Sequence, residues 1–299
     1  MGVSLVTGGE GFIGSHLVEA LLARGERVRT LDDLSSACRS PQDVGVDREF
    51  IRGSVASPRD AERACEGVDT VYHLAAMSRA APSDAEAGRC INANVIGTAT
   101  MLEAAARAGV KAFVYAGSST IYGSTRCPHS ESGPVEPRTY YAWSKASGEE
   151  LCQLYARRGW VQTSIVRYFS VYGPRQPRTG AYALALGIFL EQWRNKQPFT
   201  IHGNGCQRRD FVHVNDVVSG TILASMRTGD HRAFVYNLGS GRSTSILELV
   251  NLIDPSHPRV FLPPRQGDAW ETQADIFAAR TLLGWEPYVS LAKGIEALK

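Results

Sequence analysis

Between Val3 and Asp33 the chain reads VSLVTGGEGFIGSHLVEALLARGERVRTLDD, and no other stretch restricts the fold as much. The apolar run VSLV suits a strand buried on both faces. Gly8, Gly11 and Gly14 follow at three-residue spacing. Leu17, Leu21 and Leu22 then repeat with a helical period, and Gly25 closes that helix. RVRTL reads as a second strand, ending at Asp32. A glycine-rich turn between a strand and a helix lets the backbone approach a pyrophosphate, whose charge sits at the helix N-terminus. A carboxylate after the second strand binds the adenosine ribose hydroxyls and repels a 2′-phosphate. The stretch therefore predicts a βαβ unit that binds NAD in preference to NADP. Arg39, close by in sequence, tempers that preference.

Strand and helix patterns keep alternating after it. EFIRG, DTVYHLAA, KAFVYAGSS and QTSIVRYFSVYG read as strands. SPRDAERACEG and INANVIGTATMLEAAARAG read as helices, the second a long one. Such alternation predicts an α/β fold, a Rossmann-type doubly wound parallel sheet. Ligands then lie beyond the carboxyl ends of the strands. After residue 170 the texture changes to loops rich in Gly, Pro and Arg, such as GPRQPRTG and HGNGCQRRD. We read residues 1–167 as the NAD-binding domain, with a later segment near 211–238 returning to it. Residues 168–299 are read mainly as a smaller α/β substrate domain.

Composition narrows the function by exclusion. The 299 residues carry 32 Lys and Arg against 30 Asp and Glu, a net charge of +2, which points to neither nucleic acid nor an anionic membrane surface. No apolar run is long enough to span a bilayer. Cys38, Cys65, Cys90, Cys127, Cys152 and Cys206 are scattered without a Cys-x-x-Cys pair, so no metal site is expected and the natural compartment is a reducing cytoplasm.

TYYAWSK, residues 139–145, carries the chemistry. Residues four apart lie on one helical face, so Tyr141 can share a pocket with Lys145, whereas Tyr140 is five away and cannot easily do so. Taken alone, the stretch is more readily the start of a surface helix with two aromatics. Ser118 and Ser119 stand at the end of a strand about twenty residues earlier, at the rim where a dinucleotide would lie. Arg209 and Arg265, in RRDF and PPRQGD, are either solvated surface charge or a clamp on a diphosphate.

The motifs TGGEGFIGSHL, LDDLSS, YHLAA, NVIGT, SSTIYG, YYAWSK, RYFSVYGPRQ, RRDFVHVND, NLGSG and RQGDAWETQADI occur in an order that resembles the extended short-chain dehydrogenases/reductases, in particular the NAD-dependent nucleotide-sugar epimerases and dehydratases. The resemblance covers nearly the whole length. It implies that Tyr141 is the catalytic base, with Lys145 its partner and Ser118 beside it. It lays the cofactor over Gly8, Gly11, Phe12, Ile13, Gly14, Asp32, Asp33, Ser35, Ser54, Val55, Leu74, Ala75, Ala76, Asn94, Tyr141, Lys145 and Tyr168. It lays a nucleotide-sugar, a UDP-sugar first, over Ser78, Ser118, Ser119, Thr120, Ser170, Arg209, Arg265, Asp268 and Thr272. It also implies a homodimer packed through the helices at 87–108 and 141–158.

Three positions depart from the family's habit. Ser54 stands where an Asp often reads the adenine, and Ser170 replaces a common Asn beside the sugar-nucleotide. The linker DPSHPRV is shorter than usual. A further point selects the reaction. The family's 4,6-dehydratases carry Asp-Glu just after the catalytic Ser or Thr, and its uronate decarboxylases a Glu. Here the positions are Ser119 and Thr120. The expectation is therefore epimerisation at carbon 4 of a UDP-hexose through a transient 4-keto sugar, with NAD recycled. A dehydratase, a 4-ketoreductase, a uronate 4-epimerase and a non-catalytic dinucleotide-binding protein are the alternatives. Thr272, seven beyond Arg265, matches a position where a tyrosine excludes N-acetyl sugars, so both plain and N-acetyl hexoses are expected to fit.

Overall fold

The computed structural model describes residues 2–40, 48–78, 80–180, 183–227, 229, 231–264 and 269–299. Its first half alternates β1 (Val3–Thr7), α1 (Phe12–Ala23), β2 (Arg27–Asp32), β3 (Arg48–Arg52), α2 (Pro58–Cys65), β4 (Val68–His73), α3 (Ala80–Ala85), α4 (Ala87–Ile91), α5 (Gly97–Arg107), β5 (Ala112–Ser118), α6 (Tyr140–Arg157) and β6 (Gln162–Tyr168). The second half has shorter elements. They are β7 (Ser170–Tyr172), α7 (Ala185–Arg194), β8 (Phe199–His202), β9 (Arg208–Arg209), β10 (Phe211–His213), α8 (Val214–Ser225), β11 (Phe234–Leu238), β12 (Thr244–Ser245), α9 (Ile246–Ile253), β13 (Arg259–Leu262), α10 (Phe277–Leu283) and α11 (Leu291–Glu296).

Seven parallel strands form one sheet in the order β11-β6-β5-β4-β1-β2-β3. Successive side chains on a strand point to opposite faces, and here both faces are apolar. Leu5, Val71, Phe113 and Ile165 pack on one side with Met101 and Leu102 of α5. Their neighbours Val6, Tyr72, Val114 and Val166 pack on the other with Leu17 and Leu21 of α1 and Val217 of α8. This explains why the strands read as unbroken apolar runs: helices cover the sheet twice. Leu17 is fully buried; cutting it to Ala would cost about 2–5 kcal/mol. The chain leaves the sheet after β6 and returns through β11 at its edge. A separate cluster, including Phe189, Phe199, Ile201, Leu249 and Ile295, holds α7, α9 and α11 together beside the sheet.

One expected element differs. The long helix foreseen over INANVIGTATMLEAAARAG is interrupted by a π-helical turn at Asn92–Ile96. Wide turns of this kind carry an extra residue and re-aim a side chain. Here the turn contains Asn94, which is buried. At Gly97, just after it, a Cβ would sit 2.7 Å from Val55 Cγ2, so this helix packs close on the 53–55 loop.

Candidate active site

β1 and β4 are neighbours in the sheet whose connections run to opposite sides, which makes a crevice at their carboxyl ends. A cleft of about 710 Å³ opens there, running from the glycine turn to α7 and Thr272. At one end lie Gly8, Gly11, Phe12, Ile13 and Gly14. Gly8 has φ +69°, a conformation that costs glycine nothing. A Cβ on Gly14 would lie 2.0 Å from the Gly8 carbonyl oxygen, so only glycine lets α1 start this close to the turn. On Gly11 the nearest atom to an added Cβ is that same oxygen, at 3.3 Å. The turn thus fits a pyrophosphate laid over the N-terminus of α1.

Asp32 lines the cleft at the same end. Its carboxylate accepts hydrogen bonds from the backbone N–H of Glu10 at 2.9 Å and of Leu34 at 2.8 Å. Burial pushes its pKa up, and those two amides pull it back. Each oxygen keeps a lone pair for a ribose hydroxyl. Glu10 is itself fully buried and paired with Arg48, at 3.0 Å for one of the contacts. Arg39 does not reach over the ribose. It is spent on Glu10 at 3.4 Å, Glu19 at 3.1 Å and the Gly9 carbonyl at 3.4 Å. Arg39, the cation near Asp32 in sequence, is thus occupied and not held out for a 2′-phosphate, which favours NAD.

Tyr141 and Lys145 both line the middle of the cleft. α6 begins where it must for this: Thr139 caps it, accepting from the Ala142 N–H at 3.1 Å. Tyr141 then falls in the first turn and Lys145 one turn later. Tyr140 is 48% exposed, whereas Lys145 is 3% exposed. The Lys145 ammonium donates to the Ala116 carbonyl at 2.8 Å and lies 5.0 Å from the centre of the Tyr115 ring. Burial lowers its pKa to about 8, so it remains a cation at neutral pH. Ser118 ends β5 beside them, with its Oγ 2.9 Å from Thr120 Oγ1 and accepting from the Thr120 N–H at 3.3 Å.

Most residues singled out in the sequence meet in this cleft. Asp33, Ser35, Ser54, Val55, Leu74, Ala75, Ala76, Ser78, Ser119, Tyr168, Ser170, Arg209 and Thr272 all line it. Asn94 is not on its wall. Its carboxamide accepts from the Met77 N–H at 2.8 Å and donates to the Met77 carbonyl at 3.0 Å and to Ser144 Oγ at 2.9 Å. It therefore holds the loop after β4 from behind. Arg265 and Asp268 lie outside the described residues. The sequence reading missed Gln176, Arg89, Arg138, Phe189, Gln207 and His202, which also line the cleft. They sit in Gly-, Pro- and Arg-rich loops or on short elements, where sequence offers no periodicity to orient them.

The distal motifs are tied together by one buried acid. Asp210 accepts from the N–H groups of Ser240, Gly241 and Ala274 and from Ser240 Oγ. RRDF, NLGSG and the segment around Ala274 are thus one clasp, with Thr272 and Arg209 held on its cleft side. Among the described residues the only carboxylates on the cleft wall are Asp32 and Asp33, both at the glycine-turn end. Arg89, Arg138, Lys145, Arg209 and His202 line the rest. No group of His, Cys, Asp and Glu among the described residues could hold a metal ion, and no described helix is long and apolar enough to cross a membrane.

The sequence profile of the "NAD dependent epimerase/dehydratase family" matches residues 4–239. The chain belongs to that family. It is similar to a UDP-glucose 4-epimerase of Mycolicibacterium smegmatis, 37% identical over 303 residues, covering 98% of this chain and 96% of that protein. It is also similar to UDP-glucuronic acid decarboxylase 2 of Arabidopsis thaliana, 34% identical over 307 residues. That match covers 98% of this chain and 66% of the plant protein. Among solved structures, the UDP-glucose 4-epimerase of Thermotoga maritima with UDP-glucose superposes with a TM-score of 0.92 at 35% identity, covering 98% and 96% of the two chains. The chain is thus an NAD-dependent nucleotide-sugar-modifying enzyme, and NAD is its cofactor.

Proposed function

We propose that this enzyme inverts carbon 4 of a UDP-hexose. The observation that carries the reading is the pair of positions after Ser118. Ser119 and Thr120 both line the cleft, and neither is an acid. Elimination across carbons 5 and 6, or loss of a carboxyl group, calls for proton transfer by a side chain near those carbons. Neutral hydroxyl side chains do not supply it. Inversion needs only a base at the 4-hydroxyl and space for the keto sugar to turn.

NAD held over the glycine turn at Gly8, Gly11 and Gly14 would supply the hydride acceptor and donor for carbon 4. Tyr141 takes the proton from the 4-hydroxyl and gives it back to the opposite epimer. A free phenol has a pKa of about 10, and a shift of roughly 3 units takes about 4 kcal/mol. Lys145, buried and still charged, lowers the cost of the phenolate. Ser118 holds the same substrate oxygen by a hydrogen bond. The cations along the distal wall suit a diphosphate, with Arg209 nearest the Asp210 clasp. Ile96, Trp143 and Leu154 are 48%, 46% and 39% exposed on the helices at 87–108 and 141–158, which supports a dimer through those helices.

A second reading changes the sugar and keeps the chemistry. Ser118, Ser119, Thr120 and Ser170 offer four hydroxyls and no negative charge to a carbon-6 carboxylate, and a relative is named for UDP-glucuronic acid. Incubation with UDP-glucose, UDP-galactose, their N-acetyl forms and UDP-glucuronate, without added reductant, separates the two by NMR. Inverted carbon 4 in a neutral hexose supports the first reading. A 4-keto-6-deoxy product or a released pentose nucleotide overturns both.

A further inference from the structure

The loop after β7 holds a buried amide that the chemistry above leaves idle. Gln176 is 6% exposed and lines the cleft. Neither its Oε1 nor its Nε2 has a hydrogen-bond partner among the described residues. A buried amide with one acceptor and two donors unmade is costly to the fold, and native proteins rarely tolerate it without a use. The loop around it is not free to swing Gln176 into water. The Pro174 carbonyl accepts from His16 Nε2 at 2.9 Å, and Arg175 grips both oxygens of Glu19, at 2.8 and 2.7 Å. Gln176 N–H bonds back to the Gly173 carbonyl at 3.3 Å. His16 and Glu19 belong to α1, the helix whose first turn forms the dinucleotide end of the cleft.

The amide's own chemistry says what it meets. Phosphate oxygens only accept, so a pyrophosphate would leave Oε1 unsatisfied. The group required donates and accepts side by side. On the nicotinamide half of NAD both the ribose diol and the carboxamide do so. Gln176 lines the same cleft as Gly11, Tyr141, Tyr168 and Ser170, and that half, reaching from the α1 N-terminus to the base Tyr141, would pass along it. We propose that Gln176 grips the nicotinamide half of bound NAD and slows its release, with α1 serving as the brace for both ends of the cofactor.

The test is Gln176→Met, which keeps volume and removes both polar atoms. Full-length protein stripped of nucleotide on charcoal is titrated with NAD and with ADP, a probe lacking the nicotinamide half. The NAD dissociation constant should rise about tenfold, the worth of one or two hydrogen bonds. ADP affinity should stay unchanged. The nucleotide-free variant should melt at the wild-type temperature or above, because an unsatisfied amide has been removed. A lower melting temperature would mean that the amide has a partner within the protein, and it would overturn the proposal. Equal weakening of NAD and ADP would overturn it too, as would unchanged NAD binding with a raised KM for the nucleotide-sugar.

Discussion

Replacing Lys145 with Met separates what the lysine does for the fold from what it does for the reaction. Its pKa falls from 10.5 to about 8 on burial. Holding the charge at pH 7 therefore costs the native state about 3 kcal/mol, at 1.36 kcal/mol per unit. Lys145→Met regains that and leaves the buried Ala116 carbonyl without this donor, at a cost of about 1–3 kcal/mol. The two nearly offset, so the variant should fold with stability within about 2 kcal/mol of wild type. The rate should not survive as well. A cation about 5–6 Å from a phenolate at an effective dielectric of about 20 contributes roughly 3 kcal/mol, so turnover should fall about a hundredfold.

The pH dependence has a definite sign. Between pH 8 and 10.5 the folded lysine is neutral while the unfolded one still binds a proton, so stability due to Lys145 rises with pH. Urea denaturation of wild type and Lys145→Met at steps across that window should show wild type gaining about 3 kcal/mol on the variant. A flat difference would refute the depressed pKa. A variant that keeps its rate would refute the role of the charge.

Tyr141→Phe should lose about 10²–10⁴ in kcat, while the exposed Tyr140→Phe should stay near wild type in the same assay; equal losses would undo the assignment. Thr272 lies on the cleft wall, where its hydroxyl accepts from the Asp210 N–H at 3.3 Å. Thr272→Tyr should cut turnover of N-acetyl hexoses about ten- to a hundredfold and spare plain hexoses, as read from kcat/KM for each pair; loss of both alike would show that Thr272 is not the gate. Trp143 and Leu154 are eleven residues apart, about three helical turns, and so share one face. The double change to Asp should convert a dimer to a monomer in light scattering at unchanged far-UV ellipticity, and an unaltered mass would place the contact elsewhere.

The sheet was legible because its strands are buried on both faces, so each announces itself as an apolar run. The glycine turn was legible because close approach at Gly14 admits no other residue. That Tyr141, Lys145 and Ser118 share one cleft was legible from spacing and resemblance together. The bonding of Asn94 to the Met77 backbone was not legible, because a helix asparagine beside the site looks alike whether it faces the cleft or the loop behind it. Arg39 tempered the NAD preference in sequence, since its partners Glu10 and Glu19 are brought to it only by folding. The π-helical turn left no trace, because its residues fit an ordinary helix. Gln176 was hidden for the opposite reason: a polar residue between Arg and Pro reads as surface, and only the docking of its loop on α1 buries it.

The central claim is that carbon 4 is oxidised and then reduced within one active site, from either face. UDP-galactose carrying deuterium at carbon 4 tests it directly, with NAD bound and no reductant added. Deuterium and proton NMR should show UDP-glucose labelled at carbon 4, with no label in water. Deuterium at carbon 6 of a 4-keto-6-deoxy sugar, or washed into solvent, would contradict the account.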